Sequence, residues 1–577
     1  MRIERHLELV ASKIISEALG LDQPPLLRPT QDPKHGDYQL NAAMPLAKKL
    51  GKPPREIAEP LAVALAEHEA IASATVAGPG FVNLRLDDAW IAARLGEDLG
   101  DTGQDGVPTV DSPEKIVVDF SSPNIAKQMH VGHLRSTIIG DSIVRLLRFA
   151  GHEVIGDNHL GDWGTQFGLL IVGMREWGST AALDADAIVE LERVYKLASE
   201  RAAADEAFAE TARAELAKLQ SGDPENRAMW ERFVKASRSA LDAIYARLGV
   251  HFDEWLGESA YHEMLPGVVE ALLAGGIARE DQGAICVFWD DKPEAPKRLR
   301  KQKEPFIVRK KDGAFLYSTT DIATVKYRRD ELSADHAIYV VDQRQSQHFE
   351  QLFAIVRMLG IEMSLEHVGF GVVMRGGRPL KTRDTSGKII TLASLLDEAE
   401  ERALARMHEE GVDIPEEEMP EVARVVGIGA VKYADLRQNR LSDYEFEWDK
   451  MVSFKGNAGP YLQYAYARTR SIFRKGGVDA AAQEGPIALV QPAEAALGRQ
   501  LLRFGDVVHA AAETCQPHLV CDHLYALARD FSSFYASCPV LKAEGAVKDS
   551  RLALTELTGR QLRRGLGLLG IGVVDRM

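Results

Sequence analysis

Cysteine is scarce in this chain. Four occur in 577 residues, at Cys286, Cys515, Cys521 and Cys538, and no two form a Cys-x-x-Cys pair. That excludes a disulfide framework and a thiolate zinc ribbon, so no structural zinc is expected and a reducing cytoplasm is. Long apolar runs are missing as well, which excludes a membrane-spanning helix and any membrane partner of that kind. The first residues, Met1-Arg-Ile-Glu-Arg-His-Leu-Glu8, lack an apolar signal core. A basic excess is also absent. Lys and Arg total 69 against 85 Asp and Glu, a net charge of −16. A non-specific nucleic-acid binder needs the opposite balance. Three local basic clusters remain, at 297–303, 468–475 and 560–564. Each reads either as a solvated helix face or as a polyanion patch. There is no internal repeat and no low-complexity tail. Hydrophobic content of 45% and charged content of 27% are those of a globular protein. The length implies roughly two to four domains.

The densest chemistry lies at Pro123-Asn124-Ile125-Ala126-Lys127-Gln128-Met129-His130-Val131-Gly132-His133. An apolar strand pattern, Ile116–Phe120, precedes it. A helical pattern follows, with Ile139, Ile143, Leu146 and Ala150 on one face and Gly151 as a stop. His130 and His133 therefore fall on the first turn of a helix at the C-terminal edge of a strand. Open α/β sheets bind ligands there, and free helix N–H groups attract phosphate. The pattern points to a nucleotide phosphate clamp, with Gly132 permitting close approach of a base or ribose. Capping by Ser121, Ser122 or Asn124 is the plainer alternative. The neighbouring His152, Asp157 and His159 have no metal-ligand spacing.

Along the chain, residues 1–90 read as a small α+β unit. It has an amphipathic helix through Leu19, a helix over Leu61–Ala70 and strands at Ala74–Val76 and Phe81–Leu86. Asp101–Pro113 reads as a linker. Strands at Ile116–Phe120, Ala337–Val341 and Val368–Met374, separated by helices, suggest a parallel sheet. Ala181–Leu248 is a helical insertion broken at Ser221–Pro224. From Leu392 onward the chain is helical, including Glu494–Cys515 as one segment and a loop at Gly476–Pro492. The fold class predicted is α/β: a Rossmann-like parallel-sheet core with a helical insertion, a small α+β N-terminal domain and an all-α C-terminal domain.

The run Val118–Asp141, with Gly161-Asp-Trp-Gly-Thr-Gln-Phe-Gly168, Tyr317-Ser-Thr-Thr-Asp321, Gly427–Leu436 and Tyr461-Leu-Gln-Tyr-Ala-Tyr-Ala467, resembles the arginyl-tRNA synthetases of bacterial type. These are class I aminoacyl-tRNA synthetases, and the resemblance covers essentially the whole chain. It implies an arginine–tRNA ligase. ATP and L-arginine would form arginyl-adenylate, and the arginyl group would pass to the 3′-terminal adenosine of tRNA(Arg), with tRNA needed even for activation. It implies ATP with Mg2+, a cytoplasmic location and a monomer. It implies an N-terminal domain contacting tRNA (1–100) and a catalytic domain (113–392) with its insertion near 181–248. A helical connection (393–458) and an anticodon-binding domain (459–577) would follow. The usual Lys-Met-Ser-Lys-Ser is absent. Arg378–Lys388 stands nearest to it, so Lys381 or Lys388 would approach the pyrophosphate.

Within that resemblance, Lys127, His130, Gly132, His133 and Lys381 bind ATP, and Lys127, His130, His133 and Lys381 are catalytic. Asp119, Tyr317 and Asp321 face the guanidinium, while Asn124 and Gln345 hold the α-amino and α-carboxylate ends. His348 and Trp163 support the pocket. Asp119 is conspicuous in an apolar strand, where an unpaired carboxylate is costly. Tyr317 and Asp321, four apart, share a face if helical. Taken singly, Asp119 also reads as a structural partner, Tyr317 as core packing and Asn124 as a cap. Tyr461, Tyr464 and Tyr466, interleaved with Arg468 and Arg470, offer base stacking and phosphate contacts, the alternative being that Tyr461 and Tyr464 face the helical core. Two rivals stand: a smaller-substrate nucleotidyltransferase of the His-x-Gly-His type, and a non-catalytic RNA-binding paralogue.

Overall fold

The structure is a computed structural model that describes residues 2–30, 32–380, 390–412, 414–481, 483 and 485–577. Lys381 and Lys388 lie outside the described residues. Two compact units are present. One comprises Asp111–Ala405 with Ala430–Met451, and the other Met1–Val110, Arg406–Gly429 and Val452–Met577.

The first unit is built on a four-stranded parallel sheet. Its order is Ser364–His367, His336–Tyr339, Lys115–Asp119, Glu153–Asp157. Ile116, Val117 and Val118 are all buried, as strands covered on both faces require. The register aligns Tyr339, Asp119 and Asp157 in one row at the C-terminal edge. The sequence-based strand at Val368–Met374 is displaced. The fourth strand ends at His367, and Val373–Arg375 belongs to a separate sheet with Tyr444–Glu445. A short apolar run carries no period that separates strand from buried loop, and Val368 and Phe370 are buried in the connection. Glu153–Asp157 lacks a sequence signal because a glycine and two acidic residues fill three of its five positions.

The insertion comprises helices Thr180–Ala185, Ala187–Ala204, Glu206–Gln220 and Pro224–Leu248. Asp186, Asp205 and Asp223 accept backbone N–H bonds as N-caps, which explains the breaks. A three-stranded antiparallel sheet, Arg279–Asp281, Ala284–Val287 and Phe306–Arg309, precedes the Tyr317–Asp330 helix.

The second unit pairs an N-terminal antiparallel sheet with C-terminal helices. The sheet order is Leu27–Pro29, Tyr38–Leu40, Phe81–Leu86, Ile71–Ala77. Glu494–Cys515 is two helices, Pro492–Leu502 and Phe504–Glu513, joined at Arg503. The linker expectation for Asp101–Pro113 fails over its first half. Asp105 is buried, with φ +52, and accepts hydrogen bonds from Arg560 and Arg564. Those arginines also donate to the carbonyls of Leu99, Asp101 and Gly103. The basic cluster at 560–564 thus owes two of its three charges to an internal dock.

Candidate active site

The sheet's first crossover begins with an unusual loop. Ser121, Ser122 and Ala126 have φ of +72°, +48° and +65°. Left-handed backbone at non-glycine residues costs about 1–3 kcal/mol each and persists only where surroundings impose it. Here they do. The Ser121 N–H donates to Ser136 Oγ (2.9 Å), and its hydroxyl bonds Thr137 (2.8 Å) and Tyr245 (2.7 Å). The Ser122 N–H donates to Asn158 Oδ1 at 3.1 Å. Asn124, exposed, is held by a backbone bridge to Gly161. Gly161 leaves room for the Asn124 side chain, whose Oδ1 a Cβ there would push aside.

The helix that follows spans Val131–Phe149, with His130 as its N-cap. Nδ1 of His130 accepts the Gly132 N–H at 3.0 Å, and Nδ1 of His133 accepts the His130 N–H at 3.2 Å. An imidazole accepting at Nδ1 is neutral and carries its proton on Nε2. Burial pushes both rings below the ordinary histidine range, His133 to about 4. The charge of Lys127 adds to the effect at His130. The two rings stand 4.1 Å apart, each with an Nε2–H donor to offer. Gly132 serves this arrangement directly, because a Cβ would meet the His130 ring at 2.8 Å. Lys127 is exposed, its ammonium 5.6 Å from the Tyr195 ring of the insertion.

A cavity of about 720 Å³ opens beside the Tyr317–Asp330 helix. Tyr317, Gln345 and His348 line it, with Phe306 and Ile307 from the antiparallel sheet. Tyr317 is 62% exposed. Asp321, one turn on, bonds His348 Nε2 at 2.6 Å. His348 therefore touches the pocket directly, against Tyr317 at 5.1 Å and Phe306 at 5.9 Å. Sequence reasoning missed Glu258. Burial pushes its carboxyl up, with Asp162 and Asp321 adding repulsion, and the Trp163 N–H bonds it. Among the described residues neither Glu258 nor Asp321 pairs with a lysine or arginine. Glu258 opens a short 3-10 helix, Glu258–Met264, which leaves no periodic signal in the sequence.

Asp119, which the resemblance turns toward the substrate guanidinium and which also read as a structural partner, is paired within the chain. Its Oδ2 accepts Arg328 Nη2 at 2.7 Å and its Oδ1 accepts the Ser122 hydroxyl at 3.0 Å. Arg328 also donates to Asp157 Oδ2 at 2.6 Å, and it is fully buried. Burial raises the Asp157 carboxyl, while the two carboxylates hold Arg328 firmly charged. Asp119, Asp157 and His159 cluster closely enough to suggest a metal site. The guanidinium between the two carboxylates already supplies their countercharge, so the donor set does not fit a cation.

In the second unit, a cavity of about 1100 Å³ is lined by Tyr464, Arg468, Arg474, Lys475, Tyr535, Lys542 and Arg576, among others. Arg468 stacks on Tyr464 (4.8 Å) and Tyr535 (5.4 Å). Tyr466 instead is buried, its hydroxyl on Asp575, and Arg470 is bound to Glu556.

Residues 99–448 match the family described as tRNA synthetases class I (R), catalytic domain. Residues 462–577 match the DALR anticodon binding domain, and residues 2–86 the arginyl tRNA synthetase N terminal domain. An arginine–tRNA ligase of Proteus mirabilis is 46% identical, covering 100% of both chains. One of Azotobacter vinelandii is 47% identical over 95% of this chain and 94% of its own. The arginyl-tRNA synthetase structure from Thermus thermophilus superposes with a TM-score of 0.83 at 27% identity, covering 100% of both chains. That from Plasmodium falciparum gives 0.83 and 27%, covering 100% of this chain and 99% of its own. Sequence and backbone thus agree from the N-terminal sheet to the last helix, and the chain belongs to the arginyl-tRNA synthetase family.

Proposed function

We propose that this enzyme joins L-arginine to the 3′-terminal adenosine of tRNA(Arg) in two steps. An α-carboxylate oxygen of arginine attacks the α-phosphorus of ATP. The bond to the β-phosphate breaks, and pyrophosphate leaves. A ribose hydroxyl of the tRNA then attacks the arginyl carbonyl and releases AMP. The first step asks for positioning and pre-oriented donors rather than a protein nucleophile. Neutral His130 and His133 present Nε2–H groups at a helix start, where the axial dipole also favours phosphate. Lys127 adds charge, Gly132 keeps the approach open, and Lys381 belongs to the pyrophosphate side. Mg2+ enters with ATP, held chiefly by the triphosphate.

The guanidinium lies between Asp321, Glu258 and the Tyr317 hydroxyl. Asn124 and Gln345 take the α-amino and α-carboxylate groups. One observation carries this: Asp321 is bonded to the cavity-lining His348 and lies near enough to Glu258 to repel it, and neither carboxyl pairs with a lysine or arginine among the described residues. A planar forked cation answers both, whereas an ammonium leaves acceptors unmet. Asp119 supports the site from behind through Arg328. Residues 1–100 touch the tRNA body. Residues 459–577 receive the anticodon loop, with Tyr464 and Tyr535 as stacking surfaces beside Arg468. The enzyme works as a cytoplasmic monomer; its four buried free cysteines suit a reducing compartment. Arginine-dependent ATP–pyrophosphate exchange, with tRNA present, tests the assignment. Exchange should appear with arginine alone among amino acids, and exchange driven by lysine would overturn it.

A further inference from the structure

The Tyr317–Asp330 helix carries three functional side chains along one stripe: Tyr317, Asp321 and, seven residues further, Arg328. Tyr317 lines the cavity, and Asp321 bonds His348, which lines it too. The third plunges into the sheet edge and bridges Asp119 and Asp157, the last residues of adjacent strands. Each of those carboxylates opens a loop that holds Asn124. From Asp119 the chain runs through Ser122, whose hydroxyl donates back to Asp119, and on to Asn124. From Asp157 it runs through Asn158, which accepts the Ser122 N–H, to Gly161. There the Ile125 N–H donates to the Gly161 carbonyl (3.1 Å) and the Gly161 N–H to the Pro123 carbonyl (3.2 Å). A single buried guanidinium therefore ties the helix bearing Asp321 to both loops that fix Asn124.

We propose that Arg328 is a positioning residue that sets the distance between the two ends of the arginine site, and hence its selectivity for side-chain length. The inference rests on the assignment of Asp321 to the guanidinium end and Asn124 to the α-amino end. The alternative for a buried ion triad is stability alone. The two differ in what they predict. A merely structural Arg328 lowers activity toward every substrate in proportion to the folded fraction. A gauge changes the ratio between substrates of different length.

The test compares arginine with homoarginine, one methylene longer, and with the analogue one methylene shorter. The readout is kcat/KM in ATP–pyrophosphate exchange with tRNA present. A single methylene in a fitted pocket is worth about 10- to 200-fold. For Arg328→Lys, which keeps the charge and loses the fork, and for Ser122→Ala, which cuts one tie, we expect the preference for arginine over at least one analogue to shrink by about fivefold or more. Ser122 is only partly buried, so its variant decides the matter should Arg328→Lys not fold. Unchanged ratios in the folded variants would overturn the inference. Asp321→Asn and Asn124→Ala serve as controls. If neither raises the KM for arginine, the site assignment itself has failed, which is a separate outcome.

Discussion

The phosphate end and the guanidinium end of the site are built in opposite ways. At the proposed phosphate end the histidine pair is built locally. His130 and His133 take their tautomers from backbone N–H groups two and three residues away, and both rings are neutral. At the proposed guanidinium end only Tyr317 and Asp321 are local, one turn apart on one helix, and the other partners are distant in sequence. Asp321 leans on His348, Glu258 comes from another segment, and Asp119 meets Arg328 across 209 residues of chain. In the proposed reading the histidines act as neutral donors, beside the charge of Lys127. The guanidinium end works by charge, and its charge is available only where the chain has not already neutralised it.

The largest expected effects lie at the charged end. Asp321→Asn should lower kcat/KM for arginine by about 3–5 kcal/mol, because the substrate cation is left with an unmatched partner. The KM for ATP should stay within about threefold, the shift of a site left essentially intact. A parallel loss in both would merge the two ends into one. Next comes the neutral end. His133→Ala should cost about 3–4 kcal/mol, seen in kcat rather than in the KM for arginine, as for a lost oxyanion donor. Asp119→Asn should differ from both. It leaves Arg328 with one carboxylate and should lower unfolding free energy by about 3 kcal/mol, as a broken buried pair does, with a smaller change in arginine KM than Asp321→Asn gives. Thermal or denaturant unfolding beside exchange kinetics separates the cases.

How much of this was legible beforehand follows from the same contrast. The Val131–Phe149 helix, its histidine start and its strand could be placed from sequence, because spacing within a dozen residues generates them. The insertion's helical character and its break at Ser221–Pro224 were legible for the same reason, whereas the breaks at Asp186 and Asp205 were not. That Asp119 would be occupied by the chain's own arginine was not legible, since no pattern near Asp119 points to residue 328. Glu258 was invisible for want of any period around it. In the second unit Tyr464, Tyr466, Arg468 and Arg470 look alike in sequence. Only packing separates Tyr464 and Arg468, which line a cavity, from Tyr466 and Arg470, which are bound to Asp575 and Glu556. Arg468→Ala should therefore weaken tRNA binding by roughly 1–3 kcal/mol, the scale of a lost stacking contact, whereas Arg470→Ala should act on stability.

The smallest effect concerns pH. His133 in the folded protein titrates at about 4, below the ordinary value of 6.5. Between these values the unfolded chain binds more protons at this residue. The stability it contributes is therefore complete above about pH 6.5 and declines as pH falls toward 4. An NMR titration of His133 should show a midpoint well under 6.5. A midpoint at or above it would mean a charged ring and a different tautomer, and the contrast between the two ends would disappear.

Glu258→Gln offers the most direct test, because this carboxyl was assigned by its surroundings alone. With ATP and tRNA saturating, its KM for arginine should rise by about fiftyfold or more, the scale of a lost charged contact to a buried cation, while its melting temperature stays near that of the parent. An arginine KM equal to the parent's in a folded Glu258→Gln enzyme would contradict the account of how this site recognises a guanidinium.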